Sequence, residues 1–302
     1  MESLDNESQL HAEPDRPGVR VPEPASPRVE VIRPRPVAVV AGLLERVIAA
    51  VKQVAIDEVM PRYLKVAHQR KADGSLFTEA DLAAQEALSQ ALTQIVPGPV
   101  IGEEMSPEEQ AQRWAACQQG VWCVDPIDGT SNFVAGLPFF AVSVALVREG
   151  RPVLGVVHNP VANETFYAEQ GQGAFLNGEP LPIRWHVPHI RNAMAQVDFK
   201  RLPTRLSSAL ASAPPYSSQR NYGASTLEWC YLAAGRFDLY LHGGQKLWDY
   251  AAGALILEEA GGRMCTLHED DFWSADLWRR SVIAARDPGL FEAWRTWVRA
   301  RL

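Results

Sequence analysis

The sequence predicts a mixed α/β protein in which helices are layered against β-sheets. One apolar stripe, with spacings of three and four residues, runs from Val40 to Ala55, and a second runs from Ala84 to Ile95. Both stripes are typical of amphipathic helices. Between residues 140 and 178, short apolar runs are broken by Gly, Pro and Asn, a pattern that favours an antiparallel meander of strands. Helix and strand patterns are then mixed to the end of the chain.

The first half carries further local patterns. "KADGSLFTEAD" at 71–81 predicts a hairpin or loop with Asp73-Gly74 as its turn. The second helix is expected to begin near Thr78, because Thr-x-x-Asp resembles a capping arrangement. "VWCVD" at 121–125 predicts a short buried strand that ends on Asp125.

The last third predicts three helices and a strand. One helix is expected from Ser225 to Ala234, and another from Tyr250 to Ala260, where Gly261-Gly262 would end it. "SVIAA" at 281–285 predicts the last strand, and residues 288–301 the last helix.

The chain is expected to have three parts. Residues 1–36 hold seven of the 22 prolines, so we expect a disordered tail that cannot bury enough apolar surface to fold. Residues 37–183 are expected to form an N-terminal α+β half that carries most metal ligands, and residues 184–302 a C-terminal α/β half that completes the site.

The composition restricts the class of protein. The 302 residues are 47% hydrophobic and 22% charged, with a formal net charge of -7, which argues against a broad nucleic-acid surface and for a cation site. The four cysteines form no CxxC pair, so neither a zinc site nor a disulfide framework is indicated. No apolar run reaches the length of a membrane helix. The first residues lack an apolar export signal, and we expect a cytoplasmic protein.

The strongest chemical pattern is the run from Asp125 to Thr130. Pro126 biases Asp125 toward extended backbone, and the Ile127 carbonyl is available as an oxygen ligand. Gly129 permits close approach of a ligand, and Thr130 or Ser131 could cap a helix whose first N–H groups bind an anion. Because Mg²⁺ prefers carboxylate and carbonyl oxygens beside phosphate, the run predicts a metal site joined to a phosphate site. An Asx-turn with solvated acids remains an open alternative.

Other acids occur at strand ends and helix starts. Glu103 and Glu104 follow an apolar strand end, and Asp249 lies at a helix start. Taken alone, the glutamates fit a solvated loop, while Asp81 and Asp249 fit helix caps.

Together these motifs resemble the inositol monophosphatase family. The resemblance rests on "GEE" at 102–104, "WCVDPIDGTSNF" at 122–133 and "LWDYAAGALILEEAGG" at 247–262, and it covers residues 37 to 290. It implies a layered αβαβα sandwich of the sugar-phosphatase type. It also implies a Mg²⁺-dependent, lithium-sensitive phosphomonoesterase that forms homodimers.

The resemblance also implies roles for individual residues. The first metal would be bound by Glu103, Asp125 and the Ile127 carbonyl, and the second by Asp125, Asp128 and Asp249. A third, weaker ion near Glu103 and Glu104 is left open. The expected catalytic residues are Glu103 and Thr130, which would activate the attacking water, and Asp81, which would hydrogen-bond Thr130. The expected phosphate and substrate contacts are Gly129, Thr130, Ser131, Arg220, Asn221 and His242.

The alcohol portion of the substrate is less defined. His242 stands where inositol-preferring members carry a glutamate, and "RNYGAST" at 220–226 resembles the segment that shapes the alcohol pocket. Inositol 1-phosphate or a similar polyol or sugar phosphate is the expected substrate. Histidinol phosphate and 3'(2'),5'-bisphosphate nucleotides are alternatives. A regulatory protein that binds transcription machinery is an alternative of another class.

Overall fold

The computed structural model describes residues 42–65, 68–70, 76–117, 120–183 and 189–302. The α-helices are α1 (Leu43–Val54), α2 (Glu79–Ile95), α3 (Pro107–Ala115), α4 (Thr130–Ala135), α5 (Thr204–Ser212), α6 (Ser225–Ala233), α7 (Leu247–Glu259) and α8 (Pro288–Arg299). The strands are β1 (His68–Arg70), β2 (Leu76–Thr78), β3 (Val100–Gly102), β4 (Val121–Asp128), β5 (Ala141–Arg148), β6 (Arg151–Asn159), β7 (Glu164–Glu169), β8 (Ala174–Leu176), β9 (Glu179–Pro180), β10 (Met194–Asp198), β11 (Ser218–Arg220), β12 (Leu239–Gln245), β13 (Arg263–Cys265) and β14 (Arg280–Ala285).

Two large sheets carry the fold. The first has seven strands in the order β3-β4-β5-β6-β7-β8-β9, and the second has five in the order β11-β10-β12-β14-β13. In the larger sheet, β3 pairs parallel with β4 and the remaining pairs are antiparallel. In the smaller sheet, β10 pairs parallel with both β11 and β12. A separate antiparallel pair is formed by β1 and β2.

Alternation along the strands builds a five-layer sandwich, because successive side chains point to opposite faces of a sheet. Trp122 and Val124 of β4 pack in one core with α1 and α2. Cys123 points the other way, into a core with α6 and α7 that also receives Tyr240 of the smaller sheet. The opposite face of the smaller sheet, including Leu241, packs with α5 and α8. The order of layers is therefore α, β, α, β, α, and the predicted fold class is confirmed.

Most predicted elements are present, with shifted ends. Thr78 caps α2 through the predicted capping box with Asp81, and the meander forms β5 to β9. β4 continues past Asp125 to Asp128, and its pairing with β5 shifts register between the two acids. α7 begins at Leu247, so Asp249 is its third residue and not its cap. The N-cap of α4 is Gly129, so neither predicted hydroxyl fills that place.

Some predictions fall on residues that the structure does not describe. The segment 1–36 and the predicted turn at Asp73-Gly74 lie outside the described residues, while β1 and β2 on either side of residues 71–75 pair antiparallel. The division at residues 183 and 184 borders another such stretch, 184–188, and stays a prediction. All four cysteines are free thiols, and three of them are buried. Within the described ranges, no helix is long and apolar enough to span a bilayer.

Candidate active site

The predicted acids meet at the end of the parallel pair β3 and β4. Gly102 pairs with Val124 in register, so Glu103 and Asp125 follow at neighbouring positions. The carboxyl ends of parallel strands point to the same edge of a sheet, which brings the two acids together. An added Cβ on Gly102 would lie 2.0 Å from Oε1 of Gln85, so a larger residue here would displace that side chain. That same oxygen accepts a 3.1 Å hydrogen bond from the Glu104 N–H and fixes the turn.

Asp125 is the most unusual side chain of the cluster. It is 1% exposed, and neither of its carboxylate oxygens has a hydrogen-bond partner among the described residues. Burial raises the pKa of Asp125 well above its usual range, and the negative charges of Glu103, Asp128, Asp249 and Asp81 raise it further. A buried carboxylate without compensation is costly, so this position requires positive charge when the acid is ionised.

Asp128 is held rigidly across the molecule. Its Oδ2 accepts hydrogen bonds of 2.6 Å from both the N–H and the hydroxyl of Thr226, at the start of α6. Burial raises the pKa of Asp128 to about 7, although the two hydrogen bonds from Thr226 oppose that shift. Between the two acids, the Ile127 side chain is 1% exposed and packs into the core with Phe133, which anchors the backbone of this run.

Asp249 approaches from α7. Its Oδ2 accepts a 2.8 Å hydrogen bond from the N–H of Lys246. The residue keeps some contact with solvent, yet burial of the carboxylate, followed by the charges of Asp128 and Glu103, raises its pKa to about 7. Asp249 on α7 is therefore within electrostatic reach of the acids at the ends of β3 and β4, although more than 100 residues separate them in the chain.

Asp81 and Thr130 form a polar link beside the acids. Oδ2 of Asp81 accepts 2.7 Å hydrogen bonds from the N–H and the hydroxyl of Thr78, which fixes the carboxylate at the start of α2. Its other oxygen, Oδ1, lies 3.4 Å from the Thr130 hydroxyl, which also lies 3.0 Å from the Ile127 carbonyl. The predicted pairing of Asp81 with Thr130 is thus present as a contact.

The donor set fits a hard cation. No group of three or more His, Cys, Asp or Glu side chains in the described ranges already has the geometry of a metal site. The chemistry nevertheless points to one, because oxygen donors surround Asp125, whose buried oxygens have no partner. Carboxylate and carbonyl oxygens are ligands of Mg²⁺, which retains several positions for water and substrate phosphate.

The residues predicted to contact the substrate differ in their exposure to solvent. Gly129 has a φ of 87°, which glycine adopts without strain, and it leads into Thr130 and the exposed Ser131. Asn221 is exposed, and so is Arg220, whose Nη1 donates 2.7 Å hydrogen bonds to Ser218 and to the Gln219 carbonyl. The binding roles of these residues stay predictions.

His242 differs from the others because it is buried. Its residue is 2% exposed, and its Nδ1 accepts a 3.0 Å hydrogen bond from the Gly244 N–H. Its Nε2 lies 3.4 Å from Oδ2 of Asp198. Both ring nitrogens therefore face protein groups, and the predicted contact of His242 with substrate stays a prediction.

Two residues of the site were missed by sequence reasoning. Thr226 had no distinguishing pattern, because its partner Asp128 is remote in sequence. Glu228 could have been noticed as the single acid in the apolar helix α6. Its Oε1 accepts hydrogen bonds from the N–H groups of Tyr222 (3.3 Å) and Gly223 (3.0 Å), so it shapes the segment 220–226 from within. Burial raises the pKa of Glu228 to about 7.

Comparison with known proteins gives a consistent result. Residues 38–299 match the model of the inositol monophosphatase family. Inositol-1-monophosphatase from Caulobacter vibrioides is 35% identical over 210 residues, which cover 67% of this chain and 80% of that protein. The protein named Nus factor SuhB from Pasteurella multocida is 36% identical, over 65% of this chain and 73% of its own length.

A solved structure agrees with the sequence comparisons. The IMPase from Thermotoga maritima superposes with a TM-score of 0.73 at 29% identity, covering 85% of this chain and 96% of that one. The family match extends across all five layers of the fold and includes each acid of the cluster. The chain therefore belongs to the inositol monophosphatase family and is a phosphomonoester hydrolase.

Proposed function

We propose that this protein hydrolyses the phosphomonoester of a small polyol, with inositol 1-phosphate as the leading substrate, and that the reaction depends on Mg²⁺. The observation that carries this proposal is the Asp125 carboxylate, which is buried, lacks a hydrogen-bond partner among the described residues and is surrounded by other acids. Such an arrangement is stable in the ionised form only with cations nearby.

The proposed ligands follow the arrangement of the acids. Glu103, Asp125 and the Ile127 carbonyl would hold one Mg²⁺, and Asp125 with Asp128 and Asp249 would hold a second. A third ion beside Glu103 and Glu104 remains part of the proposal. When bound, the metal supplies positive charge that binds phosphate and lowers the pKa of water.

The chain's own residues would orient the reactants. Oδ2 of Asp81 is fixed by Thr78, and Oδ1 can accept a hydrogen bond from the Thr130 hydroxyl. A lone pair of the Thr130 oxygen then faces away from Asp81. That lone pair would accept a hydrogen bond from the attacking water, with Glu103 as the second acceptor. The N–H groups of Gly129, Thr130 and Ser131 would bind the phosphate oxygens.

The substrate assignment draws on the relatives. The name inositol-1-monophosphatase of the Caulobacter protein supports an inositol phosphate. Histidinol phosphate and 3'(2'),5'-bisphosphate nucleotides remain the alternative substrates. The same proposal includes inhibition by lithium, a homodimer and a cytoplasmic location. It does not include direct nucleic-acid binding, because the formal net charge of -7 would repel a nucleic acid.

A regulatory role is the second candidate. The name of the Pasteurella relative, Nus factor SuhB, favours a protein that binds transcription machinery. This role need not use the acid cluster, so capture of transcription proteins by an Asp125→Asn variant, at the level of the wild type, would support it.

A phosphatase screen tests the proposal. Release of phosphate from inositol 1-phosphate, histidinol phosphate, a 3',5'-bisphosphate nucleotide and p-nitrophenyl phosphate would be measured with Mg²⁺, with chelator and with Mg²⁺ plus lithium. We expect the highest kcat/KM for inositol 1-phosphate, loss of activity in chelator and inhibition by lithium. Full activity in chelator, or no hydrolysis of any ester, would refute the proposal.

A further inference from the structure

Asp198 and His242 lie side by side at the edge of the smaller sheet. They are register partners in the parallel pair β10 and β12, and Asp198 is the last residue of its strand. β11 runs parallel to β10 and ends on Arg220 at the same edge. In open sheets with parallel strands, ligands bind outside the carboxyl ends of the strands. The pair is therefore located where a small molecule would bind.

This edge is close to the acid cluster. β12 ends at Gln245, and α7, which carries Asp249, begins two residues later. The pairing of β12 with β14 shifts register after His242, and such bulges are frequent beside active sites.

The His242 ring has no nitrogen left for a substrate. Because Nδ1 accepts the Gly244 N–H at 3.0 Å, the ring proton must be on Nε2. Nε2 then donates toward Oδ2 of Asp198 at 3.4 Å. Its side chain is only 3% exposed, so a ligand could reach the ring only after both contacts were broken.

Asp198 keeps the accessible acceptors. Its side chain is 16% exposed. Oδ1 accepts one hydrogen bond, 2.7 Å long, from the Lys200 N–H, and Oδ2 faces His242. Each carboxylate oxygen can accept a further hydrogen bond. Burial opposes ionisation of Asp198, but the hydrogen bonds from His242 and Lys200 outweigh it and hold the pKa of this carboxyl below its usual range.

The loop after β10 keeps the pair in place. An added Cβ on Gly243 would lie 1.9 Å from the Arg201 carbonyl oxygen, so this loop packs directly on β12. Nη1 of Arg201 donates a 3.1 Å hydrogen bond to the Gly244 carbonyl. The carboxylate thus has a fixed direction, which is a requirement for selecting one substrate over another.

We propose that Asp198 binds hydroxyl groups on the alcohol portion of the substrate, and that His242 positions Asp198 without touching the substrate. The assignment rests on the proposed phosphatase function. It replaces His242 with Asp198 as the polar contact and defines the substrate class as a monophosphate whose alcohol carries free hydroxyl groups.

The test compares two substrates on one variant. Inositol 1-phosphate offers hydroxyl donors, whereas the alcohol of p-nitrophenyl phosphate has none. For Asp198→Asn, we expect kcat/KM for inositol 1-phosphate to fall about 10- to 100-fold, mainly through KM, as for loss of a hydrogen bond to a charged group. The kcat/KM for p-nitrophenyl phosphate should change less than about twofold. Asp270→Asn, at a surface carboxylate whose side chain is 71% exposed, is the matched control and should change neither.

His242 is tested as a positioning residue. His242→Gln keeps an N–H donor that can reach Asp198, whereas His242→Ala removes it. We expect KM for inositol 1-phosphate to rise in His242→Ala and to be largely restored in His242→Gln, with kcat for p-nitrophenyl phosphate unchanged in both. An equal loss for the two substrates would mark a structural role and overturn the assignment.

Further outcomes separate this inference from the proposed function. Unchanged kinetics of Asp198→Asn with inositol 1-phosphate would overturn the inference, and so would a loss confined to histidinol phosphate, which carries an ammonium group. If the wild type hydrolyses no ester, titration calorimetry of inositol 1-phosphate with Ca²⁺ in place of Mg²⁺ still measures binding. Weaker binding to Asp198→Asn would then support the contact, and equal binding would refute it.

Discussion

Thr226 donates two hydrogen bonds to a single carboxylate oxygen of Asp128, one from its N–H and one from its hydroxyl, both 2.6 Å long. The contact joins β4 of the larger sheet to the first turn of α6 in the central layer. Because Oδ2 is fully engaged, Oδ1 of Asp128 has a fixed direction relative to Asp125 and Asp249. A residue with no evident chemistry of its own therefore determines how the acid cluster is arranged.

Replacing Thr226 by valine tests this arrangement. The change keeps the side-chain shape and the N–H but removes the hydroxyl, so Asp128 loses one of its two hydrogen bonds. We expect the Mg²⁺ concentration for half-maximal activity to rise and kcat/KM to fall about tenfold, as for loss of a charge-assisted hydrogen bond. Steady-state kinetics over a Mg²⁺ titration measures both.

A matched threonine provides the control. Thr93 lies on α2, and among the described residues its hydroxyl donates to backbone carbonyls of its own helix. Thr93→Val should leave the Mg²⁺ dependence unchanged. A Thr226→Val enzyme with the wild-type Mg²⁺ dependence would mean that Asp128 is oriented by other contacts.

The acid cluster predicts that the metal-free protein becomes less stable as pH rises from about 4 to about 7. The pKa values of Asp128 and Asp249 rise from 3.8 to about 7 on folding, so the folded state binds more protons than the unfolded state between these values. The free energy of unfolding therefore decreases as pH rises from about 4 to about 7, by up to about 1.4 kcal/mol per pH unit for one such carboxyl. In chelator, Tm should be lower at pH 7.5 than at pH 5.5, and Mg²⁺ should raise it most at pH 7.5.

One variant isolates the cause of that slope. Asp128→Asn removes one titrating carboxyl and should reduce the dependence of Tm on pH in chelator without abolishing it, because the pKa values of Asp249 and Glu228 are also raised to about 7. His158 contributes the opposite slope, because burial lowers its pKa to about 4, but that contribution is the same in both proteins. A slope of unchanged size in Asp128→Asn would contradict the assignment.

Asp81→Asn separates orientation of the water from metal binding. The amide can still accept from Thr78 but loses the negative charge that faces the Thr130 hydroxyl at 3.4 Å. We expect kcat to fall about 100-fold, within the range for general-base catalysis. The increase in Tm caused by Mg²⁺ should persist, because Asp81 is not a proposed ligand. Loss of that increase together with kcat would show that Asp81 acts through the metal site.

The parts of the fold that were predicted correctly depend on neighbours in sequence. The capping box of α2 is visible because Thr78 and Asp81 are three residues apart, and the meander is visible because each strand pairs with the next. The early start of α7 was not predicted, because Asp249 alone resembles an N-cap. The extension of β4 depends on a register shift against another strand, which leaves no mark in β4 itself.

The candidate site divides in the same way. Asp125 and Asp128 were found because Pro126 lies between them and Gly129 follows them directly in the sequence. Thr226 is 98 residues from Asp128 in the chain, and the parallel pairing of β10 with β12 is what brings Asp198 beside His242. Contacts of this kind are set by the topology of the sheets, which no local pattern encodes.

The most direct measurement uses the Asp125→Asn variant, because the proposal depends on a carboxylate that is stable in the folded protein only beside a cation. Activity on inositol 1-phosphate would be titrated with Mg²⁺, and Tm would be measured at pH 7.5 in chelator. We predict that activity falls by at least about 1,000-fold, because the metal no longer stabilises the charge of the transition state. We also predict that Tm in chelator rises above that of the wild type, because the variant has no buried charge at this position. Wild-type activity, or a lower Tm in chelator, would contradict a cation site at Asp125.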